Sequence, residues 1–172
     1  AEGIINALIA GADTIEHASF IDDEGIRLAI ENDAALSMDI YVTEYILGEG
    51  ASAGILEESL EKERMTGATQ RSNFRKAVEA GATIVYGTDA GVYPHGQNAK
   101  QLSRMTRFGM TPLQALQSAT TVAADVMGLG YEVGKIEAGY AADFVAVEGN
   151  PIEQIELLEA PSAVIKGGVR YR

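Results

Sequence analysis

His17 and Asp89 are the residues of this chain whose types and positions best suit chemistry. His17 stands in Ile15-Glu16-His17-Ala18-Ser19 and Asp89 in Tyr86-Gly87-Thr88-Asp89-Ala90-Gly91, each just past a short run of β-favouring residues. An imidazole nitrogen and a carboxylate oxygen are both normal ligands of a divalent metal, and a carboxylate can also take a proton from an attacking water. The chain has no cysteine, which excludes disulfides and thiolate zinc sites. Its one other histidine is His95, in Val92-Tyr93-Pro94-His95-Gly96. Position alone leaves a structural alternative for each residue: a histidine after a strand can simply be hydrogen-bonded, and an aspartate near glycines can serve as a turn or cap. The glycine-rich Gly87-Thr88-Asp89-Ala90-Gly91 lacks both a Gly-Lys-Ser/Thr element and a full G-x-G-x-x-G, so it makes a poor nucleotide loop.

The elements that must position these residues are signalled by an internal echo. Ala7-Leu8-Ile9-Ala10-Gly11-Ala12-Asp13-Thr14-Ile15 resembles Ala77-Val78-Glu79-Ala80-Gly81-Ala82-Thr83-Ile84-Val85, and both read as a helix capped by glycine that runs into a strand. A third unit lies between them, with Ile26 to Ile30 ending at Glu31-Asn32-Asp33, where Asn32 can supply a left-handed cap. The expected strands are 14–17, 35–42 and 83–87. Strand alternating with helix predicts an α/β fold with a parallel sheet. A spacing of about 30 residues per unit suits a (β/α)8 TIM barrel and equally a doubly wound sheet, and in both the strand ends converge on one mouth. His17 and Asp89 fall at that edge.

Beyond Asn98 the pattern turns helical. One helix is expected over 99–108, and a second from Thr111-Pro112-Leu113-Gln114, where Thr111 can cap, Pro112 suits the first turn and Gln114 can bond back to the cap. Leu113, Leu116, Ala119, Ala123 and Val126 recur at helical spacing and should form its buried face. Past Gly128 come short β segments at 134–136, 143–147, 163–165 and, after the turn Lys166-Gly167-Gly168, at 169–171. A boundary near Gly130 therefore divides a barrel-like part, 1–130, from a small β-rich part, 131–172. The alternating charges of Glu57 to Arg64 read as a solvated helix face.

The chain's 172 residues, 47% of them hydrophobic, suffice for a sizeable core. A net charge of −12 repels phosphate backbones and anionic lipid, so nucleic-acid and membrane-surface partners are disfavoured and a small-molecule or dipeptide substrate fits better. No apolar run approaches the roughly 18 to 20 residues needed to cross a bilayer, and no signal peptide is visible; the preferred location is cytoplasmic.

Three runs together carry a resemblance: Ala10-Gly11-Ala12-Asp13-Thr14-Ile15-Glu16-His17, then Gly87-Thr88-Asp89-Ala90-Gly91, then Gly134-Lys135-Ile136-Glu137-Ala138-Gly139-Tyr140-Ala141-Ala142-Asp143-Phe144-Val145. They resemble the amidohydrolase superfamily over nearly the whole chain, and most of all the branch of imidazolonepropionase-like enzymes and metal-dependent Xaa-Pro and Xaa-Arg dipeptidases. Val92-Tyr93-Pro94-His95-Gly96 is similar to that branch as well.

The resemblance implies a (β/α)8 barrel with a small β-sandwich, of which this chain carries strands six to eight and the C-terminal strands of the sandwich. It makes His17 a metal ligand after strand six, and Asp89 a ligand and the general base after strand eight. His95 becomes a substrate-pocket candidate or a solvent-exposed loop residue. The implied cofactor is a divalent metal, zinc by default and binuclear in an intact enzyme, and the implied reaction is hydrolysis of an amide bond in a dipeptide or related compound by metal-activated water. A deaminase or cyclic-amide hydrolase of the same superfamily is the alternative. The family's His-x-His pair, bridging lysine and fifth-strand histidine have no counterpart in this sequence, and the last is expected just upstream of Ala1. Zinc takes about four ligands, so metal binding by the chain alone should be weak. As a non-catalytic fragment it should self-associate or require a completing chain.

Overall fold

A residue in the left-handed conformation lies between helix and strand in all three repeated units. Gly11 (φ 87°) and Gly81 (φ 80°) do this after α1 (Glu2–Ile9) and α4 (Glu57–Ala80). After α2 (Asp23–Glu31) the left-handed residue is Asp33 (φ 54°) and not Asn32, which stays at φ −95°. Each turn feeds one strand of a parallel sheet in the order β1-β2-β3: β1 (Thr14–Glu16), β2 (Ala35–Ser37) and β3 (Ile84–Val85). The computed structural model describes all of residues 1–172. It is an α/β fold whose sheet alternates with helices, as the sequence pattern predicts.

The strands sort their side chains by face. Ile15, Leu36 and Ile84 enter the main core with Leu8, Ile26, Phe74 and Ala77 of the covering helices. Thr14, Glu16, Ser37 and Val85 face the other way and line a cavity closed by Ala123, Val126 and Met127. β2 and β3 are buried throughout, whereas β1 alternates exposed, buried, exposed.

The expected strand over 35–42 is cut short. β2 stops at Ser37, and α3 (Ile40–Glu49) begins almost at once. Ile40, Tyr41 and Val42 favour β structure locally, but all three are buried in the packed helix, and tertiary contacts override such preferences. α4, which starts with Glu57 and Glu58 at the positive end of its dipole, buries Leu60, Gly67, Gln70, Phe74 and Ala77 along one stripe.

The second half differs from expectation in two further places. α5 (Lys100–Arg107) forms, but the single helix expected after Thr111 is two, α6 (Pro112–Ser118) and α7 (Thr121–Val126). The capping box between Thr111 and Gln114 is present. The break follows because the Ser118 carbonyl accepts from Tyr86 N–H (3.0 Å), taking the acceptor a continuing helix would use. The buried residues are then Ala115, Ser118 and Ala124, while Leu113 is 52% exposed. Residues 134–136 form no strand, and Ile136 is 89% exposed, since Gly134 (φ 89°) turns the chain against the α6–α7 junction. The other β segments pair as an antiparallel sheet β4-β5-β6: β4 (Phe144–Ala146), β5 (Ala163–Lys166) and β6 (Val169–Arg170). Between β4 and β5 the 3₁₀ turn Ile155–Glu159 returns to the main core through Ile155.

Phe74 is fully buried where α4 meets the sheet. Phe74→Ala should cost about 3–5 kcal/mol in denaturant unfolding, whereas Met65→Ala on the same helix, at an 81% exposed position, should stay within about 0.5 kcal/mol.

Candidate metal centre

The pairing register brings the functional loops together. Glu16 lies opposite Ser37 and Ser37 opposite Val85, so the strands end level with one another. The chain leaves β1 through His17 (φ 65°) and Ala18 (φ 46°), and it passes through Asp89 (φ 46°) after β3; these are three of the four non-glycine residues with positive φ. Each such residue costs about 1–3 kcal/mol and persists where its surroundings hold it. After β2 comes Asp39, at the cap position of α3.

Ligand atoms of His17, Asp39 and Asp89 all lie within 4.8 Å of one another. The three side chains line a cavity of about 260 Å³ with Glu16, Ser37 and Thr88. A larger cavity of about 500 Å³ opens beside it, walled by Phe20, Val42 and Ile46 and by Lys62, Glu63 and Thr66 of α4. Close packing sets the floor: a Cβ on Gly87 would come within 2.1 Å of Ser37 Oγ, so this position has no room for a side chain as the two strands stand.

Asp39 is the buried member, with its side chain 8% exposed against 60% for His17. Its Oδ2 lies 3.3 Å from His17 Nδ1, and Gln70 Nε2 approaches Oδ1 at 3.4 Å. Burial raises the Asp39 pKa, its own backbone N–H and His17 oppose that shift, and the charge of Asp89 adds to it. Gln70 also reaches Ser19 Oγ at 3.3 Å and accepts from the Thr43 hydroxyl at 2.8 Å, which in turn meets Glu63. Asn73 donates to the Ser19 carbonyl at 3.0 Å. α4 thereby grips the His17 loop and Asp39 at once.

α5 grips the same junction from its other side. Buried Gln101 donates to the Met38 carbonyl and accepts from Tyr41 N–H, both at 2.7 Å, so it brackets Asp39. The Asp89 loop is anchored by Tyr93, whose buried ring packs on Tyr41 (centroids 4.9 Å apart) and Tyr45 (5.8 Å). Asn98 donates to Thr88 Oγ1 at 3.1 Å and its carbonyl accepts from Tyr86 Oη. Burial pushes the phenols of Tyr86 and Tyr93 above the usual range.

The structure thus brings His17 and Asp89 together. His95 is exposed and lines neither cavity. Sequence reasoning missed Asp39, because the strand was drawn through it to Val42; the available signal was an acidic residue shortly after the middle strand, level with His17 and Asp89. One imidazole and two carboxylates form a donor set suited to zinc, manganese, cobalt or iron.

Comparison with known proteins gives the family and the fold. Residues 1–170 match the profile described as "Amidohydrolase family". The ochratoxinase of Aspergillus niger is 34% identical over 175 residues, covering 99% of this chain and 36% of that protein. A solved Xaa-Pro dipeptidase with methionine bound in its active site superposes with a TM-score of 0.92 at 40% identity, over 100% of this chain and 43% of the other. A prolidase complexed with N-methylphosphonate-L-proline gives a TM-score of 0.90 at 26% identity, over 99% and 43%. The chain therefore spans about two fifths of the length of these relatives.

In the full-length protein, His17→Ala and Asp89→Ala should each weaken zinc binding by at least about 100-fold, the upper end of what loss of an outer hydrogen-bond partner costs. His95→Ala should leave it unchanged, and calorimetric titration with zinc reads all three.

Proposed function

This chain belongs to the amidohydrolase family, and from that premise we propose that the full-length protein is a metal-dependent hydrolase of carbon–nitrogen bonds, acting on a dipeptide or related small amide. The observation that carries the proposal is the meeting of His17, Asp39 and Asp89 at the strand-end mouth of a chain 40% identical to a Xaa-Pro dipeptidase. In this reading β1, β2 and β3 are strands six to eight of a (β/α)8 barrel, residues 1–130 belong to that barrel, and residues 131–172 to a small β-sandwich.

His17 and Asp89 would hold a divalent metal, zinc by preference, together with donors from the remainder of the protein. When bound, such a metal supplies Lewis acidity that polarises the scissile carbonyl and makes water a competent nucleophile near neutral pH. The Asp89 carboxylate takes the proton from the attacking water and hands it to the leaving amine, which must depart protonated. Its left-handed backbone and the Tyr93 anchor keep the carboxylate at the strand end. The larger cavity has the volume of a small-molecule site. Phe20, Val42 and Ile46 offer it an apolar wall, and Lys62 offers a positive charge suited to a substrate carboxylate.

β1 and β3 each keep one unpaired edge. We propose that further strands of the same protein, or another copy, complete them, and sedimentation of residues 1–172 alone should show self-association rather than a clean monomer.

Asp89→Asn in the full-length protein should lower kcat for dipeptide hydrolysis by about 10²–10⁴-fold with an unchanged melting temperature. Near-normal turnover would remove Asp89 from the mechanism, and release of ammonia in place of an amino acid would transfer the same site to a deaminase.

A further inference from the structure

We propose that Asp39 is the orienting partner of His17 and not a third metal ligand. The inference rests on reading His17 and Asp89 as the ligands, and it concerns how the first of them is set. Both oxygens of the Asp39 carboxylate already face a partner, Oδ2 lying 3.3 Å from His17 Nδ1 and Oδ1 accepting from Gln70 Nε2 at 3.4 Å. Its backbone is fixed on either side by Gln101, through the Met38 carbonyl and the Tyr41 N–H. A carboxylate placed in this way gives up both contacts if it turns toward a cation, in a buried setting where lost partners are expensive. Asp89 is exposed in the same cavity and has no such constraint.

The consequence falls on His17. A neutral imidazole has one protonated nitrogen and one bare nitrogen, and the hydrogen bond made by one decides which lone pair is left for a metal. A proton on Nδ1, the nitrogen that faces the Asp39 carboxylate at 3.3 Å, would leave Nε2 bare. The side chain is otherwise 60% exposed and follows a backbone with φ 65°, so little else fixes the ring. Carboxylate partners of this kind hold both tautomer and orientation of a ligating histidine. Asparagine is a poor substitute here. If its carbonyl accepts from His17, its amide nitrogen is turned toward the Gln70 amide nitrogen, donor against donor.

The test uses the full-length protein with two readouts: the ¹⁵N spectrum of the metal-free histidines, with His17 assigned by its loss in His17→Gln, and titration with cobalt(II) followed by visible absorption. The wild type should show His17 protonated at Nδ1. Asp39→Asn should mix the tautomers and weaken cobalt binding by about 10–100-fold, while the saturated spectrum keeps its shape and intensity. A changed saturated spectrum, or a wild-type tautomer in Asp39→Asn, overturns the proposal. Should that variant fail to fold, Gln70→Met removes the brace on Oδ1 without touching His17: weaker cobalt binding with the same spectrum supports the proposal, and unchanged affinity overturns it. Failure of the wild type to bind cobalt would sink the ligand reading itself, and the tautomer measurement would still decide whether Asp39 controls His17.

Discussion

The parallel register of β1, β2 and β3 is the constraint on which the site depends. Pairing Thr14 with Ala35 and Leu36 with Ile84 turns Leu36 into the core and leaves Ser37 on the opposite face, beside Gly87. A slip of one residue would drive the Ser37 hydroxyl into an apolar cluster and expose Leu36, so burial itself fixes the register. Once it is fixed, the strand ends are level, and three loops far apart in sequence release His17, Asp39 and Asp89 at one edge. The chemistry sits on loops, but the strands determine where those loops start.

The parts of this arrangement that were legible in the sequence are those governed by local physics. Gly11 and Gly81 marked two helix ends because the left-handed conformation there suits glycine, and Thr111 with Gln114 marked a helix start because two side chains satisfy two backbone groups. His17 and Asp89 were visible because each follows a short strand with a clear helical stop before it. What stayed hidden depends on partners distant in the chain. Nothing local says that Ile40, Tyr41 and Val42 are helical; that follows from Gln101 capturing Met38 and Tyr41. Once the strand was drawn through Met38, Asp39 appeared as an interior residue rather than an end one. In the same way, the break after Ser118 is made by Tyr86, in a different element.

The site's polar supports share a chemical character. Gln70, Asn73, Asn98 and Gln101 are neutral amides, and they meet the His17 loop, Asp39 and the Asp89 loop from α4, α5 and the segment before α5. Lys62 stands on the wall of the larger cavity, while Arg104 pairs with Glu44 and Glu159, and Lys100 bonds the Tyr41 hydroxyl. An ammonium or guanidinium in the place of Gln70 would also hold Asp39, and more strongly. It would bring a positive charge to the point where the proposed divalent cation would bind, and two unit charges at 4 Å interact by about 4 kcal/mol at an effective dielectric constant near 20. An amide fixes a carboxylate through geometry and leaves its charge uncancelled. The burial that raises the Asp39 pKa acts in the opposite direction, toward the neutral acid, and His17 opposes it from within the same cluster. A buried aspartate with an amide at one oxygen and an imidazole facing the other is thus positioned by geometry, with no ammonium or guanidinium brought into the cluster.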